Sequence, residues 1–185
     1  MSLVIITISC KAQQIVPIEK VIDYRNTENG IPDGVYLKDV NGLLNKYIGI
    51  WKGTYENKNY SFVITTFKHD YLGISEDKLA IRYLITDTQG AVIEDTRSLP
   101  DTSIYVIKGD YFSKNLNYYM SNYIGKDSKC GQYGVVYITN VKDTDQQITL
   151  YLSPDKVLLN EYKCPSGIIK HILPVKEAMF LTKQQ

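Results

Sequence analysis

Histidine is scarce in this chain: His69 and His171 are its only two. Nothing in the order of the segments brings them together. A polar loop explains His69-Asp70 and a strand edge explains His171, so neither is expected to serve as a general base or metal ligand. No Gly-x-Ser-x-Gly elbow, His-Glu-x-x-His pair or glycine-rich phosphate loop occurs. The neighbouring carboxylates Glu76-Asp77 and Glu94-Asp95 diverge, because adjacent side chains on a strand or turn point in different directions. Asp143-x-Asp145 lacks the further oxygen donors of a calcium loop and reads as a hairpin turn. These gaps predict a protein without catalytic residues, without a cofactor and without a metal site.

An excess of either charge is also missing, with 21 Lys and Arg against 20 Asp and Glu. No global field draws in a phosphate backbone, so nucleic acid is not an expected partner. Apolar runs stay too short to span a bilayer. Internal repeats, low-complexity tracts and heptad seams are absent, and the length suits one domain that buries roughly 70% of its unfolded surface. Prolines and glycines punctuate residues 15–42, where Pro17, Gly30, Pro32, Gly34 and Gly42 resist a long helix or central strand. Residues 11–42 therefore form an irregular N-terminal extension. Val16, Ile18, Val21, Ile22, Val35 and Leu37 are its means of attachment to the remainder.

What the chain has in plenty is tyrosine, 16 of them beside four phenylalanines and the single tryptophan, Trp51. Tyrosine favours strands, where the ring packs on a sheet face and the hydroxyl reaches water at the rim. From Ile50 onward the hydrophobic period is two, which sends successive side chains to opposite faces. Asn57-Lys58-Asn59 predicts a tight hairpin into Tyr60–Thr66. Strands follow at Leu79–Ile85, Ala91–Thr96, Ser103–Lys108, Leu116–Ile124, Gly134–Asn140, Ile148–Ser153, Lys156–Tyr162 and Glu177–Lys183. Before them, Leu43–Ile48 supplies a short helix suited to a barrel floor. Some eight or nine short strands with turn signals predict an all-β antiparallel up-and-down barrel over residues 43–185, the alternative being a β-sandwich.

At the N-terminus, Leu3–Ile8 is apolar and ends in Ser9-Cys10, followed abruptly by Lys11-Ala12-Gln13-Gln14. A small residue before cysteine after an apolar stretch resembles a bacterial lipobox. The resemblance implies that residues 1–10 are the remnant of a lipoprotein signal, that Cys10 is lipidated, and that the protein is exported to the cell envelope. The other reading is an edge strand with a buried cysteine. Cys130 and Cys164 remain to pair in an oxidising compartment. A plain meander places them at opposite barrel ends, beyond the ~7 Å Cα separation a disulfide tolerates, so two separate thiols are expected unless an excursion intervenes.

Tyr47-Ile48-Gly49-Ile50-Trp51-Lys52-Gly53, followed by Tyr60–Thr65, resembles the opening strand pair of lipocalin-like barrels, the calycins. A small neighbour lets the backbone approach a large ring that plugs one barrel end. Lipocalins place an arginine over that tryptophan. This chain has only Arg25, Arg82 and Arg97, none near its end, leaving Lys183 or Arg82 to substitute. The whole pattern also resembles a family of small exported lipoproteins from Bacteroidetes-type bacteria, which implies no particular activity. Trp51, Tyr55, Tyr60, Phe62, Tyr83, Tyr118, Met120 and Tyr137, with Tyr133 and Tyr151, are the candidate lining of a cavity for a small apolar or amphipathic ligand. Two functions follow from different classes. One is a non-enzymatic ligand-binding barrel held to the membrane only through a lipid anchor. The other is a structural or protein-interaction module of the envelope with a filled interior.

Overall fold

The computed structural model describes residues 13–185 except 26, 142, 143, 160, 161 and 163. Cys10 and the apolar run before it lie outside the described residues, as does Asp143. The strands are β1 (Gln14–Pro17), β2 (Val35–Lys38), β3 (Gly49–Tyr55), β4 (Lys58–Tyr71), β5 (Ile74–Asp87), β6 (Val92–Asp95), β7 (Ile107–Phe112), β8 (Tyr118–Ile124), β9 (Tyr133–Asn140), β10 (Gln147–Pro154) and β11 (Met179–Lys183).

Eight of them, β3, β4, β5 and β7 to β11, form a closed antiparallel barrel. The seam joins the last strand to the first, with Thr182 opposite Lys52 and Lys183 opposite Trp51. Closure pairs both edges of a sheet whose inner face is apolar and leaves neither of them open. β6 is a flap that pairs only with β5. The strand expected over Lys156–Tyr162 is not formed by residues 155–159 or 162. Pro154 ends β10, and β11 already occupies the edge of β10 that such a strand would need.

The N-terminal extension is partly regular. β1 and β2 run parallel to each other, and β2 in turn pairs in parallel with the start of β5, Tyr36 opposite Ser75. Between them lie a 3-10 turn at Ile18–Lys20 and a short helix, α1 (Val21–Arg25). Val16, Ile18, Val21, Val35 and Leu37 are buried, in keeping with their expected part in attaching the extension, and Ile22 is half-buried.

At the lower end of the barrel, Asp39 accepts the amides of Leu43 and Leu44 at 2.8 and 2.9 Å. Those bonds satisfy donors that open the 3-10 turn Asn45–Tyr47 and press Leu44 and Tyr47 into the floor. Trp51 donates its indole N–H to the Tyr47 carbonyl at 2.7 Å. Lys183 lies 5.3 Å from the Trp51 ring, taking the position of the arginine expected from the calycin resemblance. Arg82 does not reach it; its guanidinium bonds to the Leu99 carbonyl and Asp101.

The upper end is covered by the return from β10 to β11. Here the structure corrects the expectation of separate thiols: Cys130 and Cys164 are disulfide-bonded, with Cα atoms 4.8 Å apart. β10 ends with Pro154 opposite Gly134 of β9, so the chain leaves β10 at the end where β9 begins. The described residues between β10 and β11 add no further strand across the barrel, and Cys164 meets Cys130 at that end.

Candidate binding surface

The sequence-predicted lining residues separate onto two faces. Trp51, Phe62 and Tyr83 point inward with no accessible surface, and Tyr60 is almost as enclosed. Tyr47, Tyr119 and Tyr123 join them, together with Ile64, Ile81, Val136, Ile138 and Leu150. A side chain with no accessible surface borders no space large enough for a water. Tyr83, Phe62 and Trp51 therefore line no ligand-sized cavity. The rings pack on one another instead, Phe112 on Tyr119 at 4.7 Å and Phe62 between Tyr60 and Tyr83 at 6.1 Å from each.

Polar ends of this interior are tied down near the upper mouth. Tyr83 donates its hydroxyl to the buried Glu94 carboxylate at 2.7 Å, and the Tyr83 amide bonds to Thr96 at 2.8 Å. Tyr60 donates to the Ile172 carbonyl at 2.8 Å, which pins the return segment across the mouth. Burial holds the Tyr83 phenol far above its ordinary pKa, with Tyr123 and Glu94 adding to the shift. Tyr60 and Tyr123 are raised mainly by burial as well. Tyr60 and Tyr83 act as neutral donors. His171 lies in the same return segment, its Nδ1 buried without a hydrogen-bond partner and its pKa lowered by burial. His69 lies instead on the outer side of β4, 3.9 Å from Glu76. The two histidines belong to opposite ends of the barrel. Asp95 is engaged by Arg97, whose bonds lower its pKa. Among the described residues, no group of three or more His, Cys, Asp or Glu is placed to hold a metal ion.

Tyr118, Met120 and Tyr137 point outward. On β8 the inner positions are Tyr119, Ser121 and Tyr123, and on β9 they are Gly134, Val136 and Ile138. Register then aligns Tyr111, Met120, Tyr137 and Tyr151 in one row across β7, β8, β9 and β10. Tyr118 packs edge-on against Tyr137 at 5.3 Å. Burial and the neighbouring Tyr118, Tyr111 and Tyr151 phenols raise the Tyr137 pKa, which reflects how closely these hydroxyls gather. Arg25 of α1 covers one end, 4.1 Å over the Tyr111 ring and 2.6 Å from Asp110. In the adjoining row, Tyr118, Thr139, Thr149 and Phe180 continue the surface across β8 to β11, and Phe180 is 64% exposed. The result is an aromatic face on the outer wall of the barrel with hydroxyls along it.

Tyr55, at the upper end of β3, is half-buried and packs against the core. An outer groove of about 260 Å3 lies elsewhere, lined by Phe67, His69, Lys78, Ile104, Val106 and Ile124 among others. Sequence reading misses the outer row because β8 carries aromatic residues on both faces. A bulge between Gly109 and Tyr111 also shifts the phase of β7 by one residue. The signal that finds it is the run Val136, Ile138, Leu150, Leu152: its uniform aliphatic character marks the inner face, which leaves the tyrosines outside.

Searches among curated proteins and among solved structures find no match. A protein-family model matches residues 1–176. With nearly the whole length covered, the chain belongs to the family of unknown function DUF6705.

Proposed function

We propose that this protein is an exported, lipid-anchored, non-catalytic interaction module that holds a protein partner on the outer aromatic face of β7 to β11. The division of the aromatics carries this reading: the inner set is consumed by packing, while Tyr111, Tyr118, Met120, Tyr137, Tyr151 and Phe180 form a continuous surface. Tyrosine is suited to such contacts, giving large, rigid, amphipathic area at low entropic cost and a hydroxyl for polar partners. The lipobox-like Ser9-Cys10 supports an anchor, and the Cys130–Cys164 disulfide is in keeping with an oxidising compartment. Lys183 stacked over Trp51 supports the calycin-type resemblance.

A photo-crosslinking residue in place of Tyr137, introduced in the native host, should give a discrete adduct with one envelope protein; the same probe at Ile93, on the β6 flap, should not. Tyr137→Ala and Tyr151→Ala should each weaken that complex by about 1–2 kcal/mol while the barrel's circular dichroism is retained. Equal adducts at both positions would sink the proposal. A second reading, binding of a small amphipathic molecule, rests on the outer groove at Phe67 and Ile124, since no such space adjoins Trp51, Phe62 or Tyr83. Native mass spectrometry of protein from its source, with thermal shifts across a lipid panel, decides that reading.

A further inference from the structure

β4 and β5 are each 14 residues long, well beyond the other barrel strands. β3 pairs with β4 only as far as Ile64, and β7 meets β5 only at Ala80 and Ile81. The hairpin between them, Thr65 to Leu79, therefore overhangs the lower end of the barrel. It is braced on one side by β2 and carries no described strand on the other. By register the overhang is about 20 Å long.

Its tip is Tyr71-Leu72-Gly73-Ile74. Leu72 and Gly73 both have positive φ, +48° and +79°, so the turn is of the mirror-image type that ordinarily takes Asn-Gly. A leucine there is sterically costly. Leu116 adopts the same backbone conformation but packs its side chain against the core. Leu72 has no such return: it is 75% exposed, and Tyr71 beside it is 65% exposed. Folding thus gains nothing from an apolar residue at this position.

The N-terminus supplies the context. β1 starts at Gln14 opposite Val35, one residue before Tyr36 meets Ser75, so it begins at the level of the hairpin tip and two strands away, about 10 Å. Gln13 donates to the Ser75 hydroxyl at 3.3 Å. Cys10 precedes Gln13 by three residues, a reach of about 10 Å at most. Charges on the overhang alternate in sign, with Lys68 beside Asp70 and Lys78 beside Glu76. They offer no net attraction to an anionic surface. Attraction there is hydrophobic.

We infer that Tyr71 and Leu72 insert into the lipid surface beside the N-terminal anchor, making a second, non-covalent membrane contact that fixes the barrel's orientation. This rests on the membrane-anchored reading above. A single acyl chain or short apolar segment binds reversibly, and a second contact converts it to stable attachment. An aromatic and a leucine at a hairpin tip suit the headgroup boundary, with the tyrosine hydroxyl kept wet.

The test uses the full chain carrying Cys10→Ser, which cannot be acylated, with phosphatidylcholine vesicles and co-sedimentation. Leu72→Asn keeps a residue tolerant of positive φ, so Tm should hold or rise, while the partition coefficient should fall about tenfold. Leu158→Asn, altering a leucine that is 98% exposed at the opposite end, should leave partition unchanged. High salt should not release the parent. A parent that stays in solution overturns the inference, as does Leu72→Asn sedimenting like its parent. Dimers abolished by Leu72→Asn, with vesicle binding intact, would reassign the tip to a second copy. Acyl labelling of Cys10 in the native host reads the anchor separately, so the two ideas fail independently.

Discussion

At the residue scale, the barrel seam depends on positions where a Cβ has no room. A methyl on Gly53 would strike the Phe180 carbonyl oxygen and lie 2.8 Å from Leu181 Cδ2, both on the strand that closes the barrel. Backbone cannot yield as a side chain can. Gly53→Ala should therefore destabilise by about 3 kcal/mol, read by urea unfolding; a loss under about 1 kcal/mol would mean that the seam is looser than described. Gly49 is constrained differently. Its φ of +137° disfavours other residues, and a Cβ would meet Lys183 Cε at 2.9 Å, just where that side chain passes toward the indole. The small residues flanking Trp51 are legible in the sequence as a plug signature. Lys183 is legible as one of two candidate caps over the indole, through the calycin resemblance, but Phe180 is not, because a seam contact joins positions more than a hundred residues apart and leaves no local pattern.

At the element scale, legibility tracks how the apolar residues are distributed. β5 alternates cleanly, with Leu79, Ile81, Tyr83 and Ile85 inward, and its inner face is legible from that alternation alone. β8 and β9 are apolar on both sides, so their strands are legible but their phase is not. That phase separates the wall of an internal pocket from the outer surface on which Tyr118, Met120 and Tyr137 lie. The return from β10 to β11 reads as a strand because Val157-Leu158-Leu159 supplies β-prone residues, yet it lacks period-two burial. Its disulfide closes a sequence separation of 34, worth roughly 4 kcal/mol in the chain-entropy account. Cys130→Ser with Cys164→Ser should lower Tm by roughly 10 °C while the barrel's circular dichroism persists. An unchanged Tm would show the return segment to be held without its covalent brace.

For the whole molecule, the interior phenols set the alkaline limit. Burial raises Tyr47, Tyr60, Tyr83, Tyr119 and Tyr123 above the ordinary phenol value of about 10. A group whose folded pKa is raised stabilises fully below its unfolded pKa. That contribution is lost as pH climbs through the interval between the two. Above about pH 10 the unfolded chain releases these protons while the native one keeps them, and five such groups give a limiting slope of roughly 7 kcal/mol per pH unit. Tyrosinate absorbance should then rise in two stages, an early one for surface rings and an abrupt one coincident with loss of the sheet signal. A single gradual titration with the sheet intact would contradict the packed interior.

The parallel register of β1, β2 and β5 has a mechanical corollary. A pull on the N-terminus acts along the strand axis, so the ladder from Gln14 to Pro17 resists in shear, its bonds strained together, and does not unzip one rung at a time. A load applied there is passed through β2 into β5, one strand of the longest hairpin of the wall, and so into the frame of the barrel.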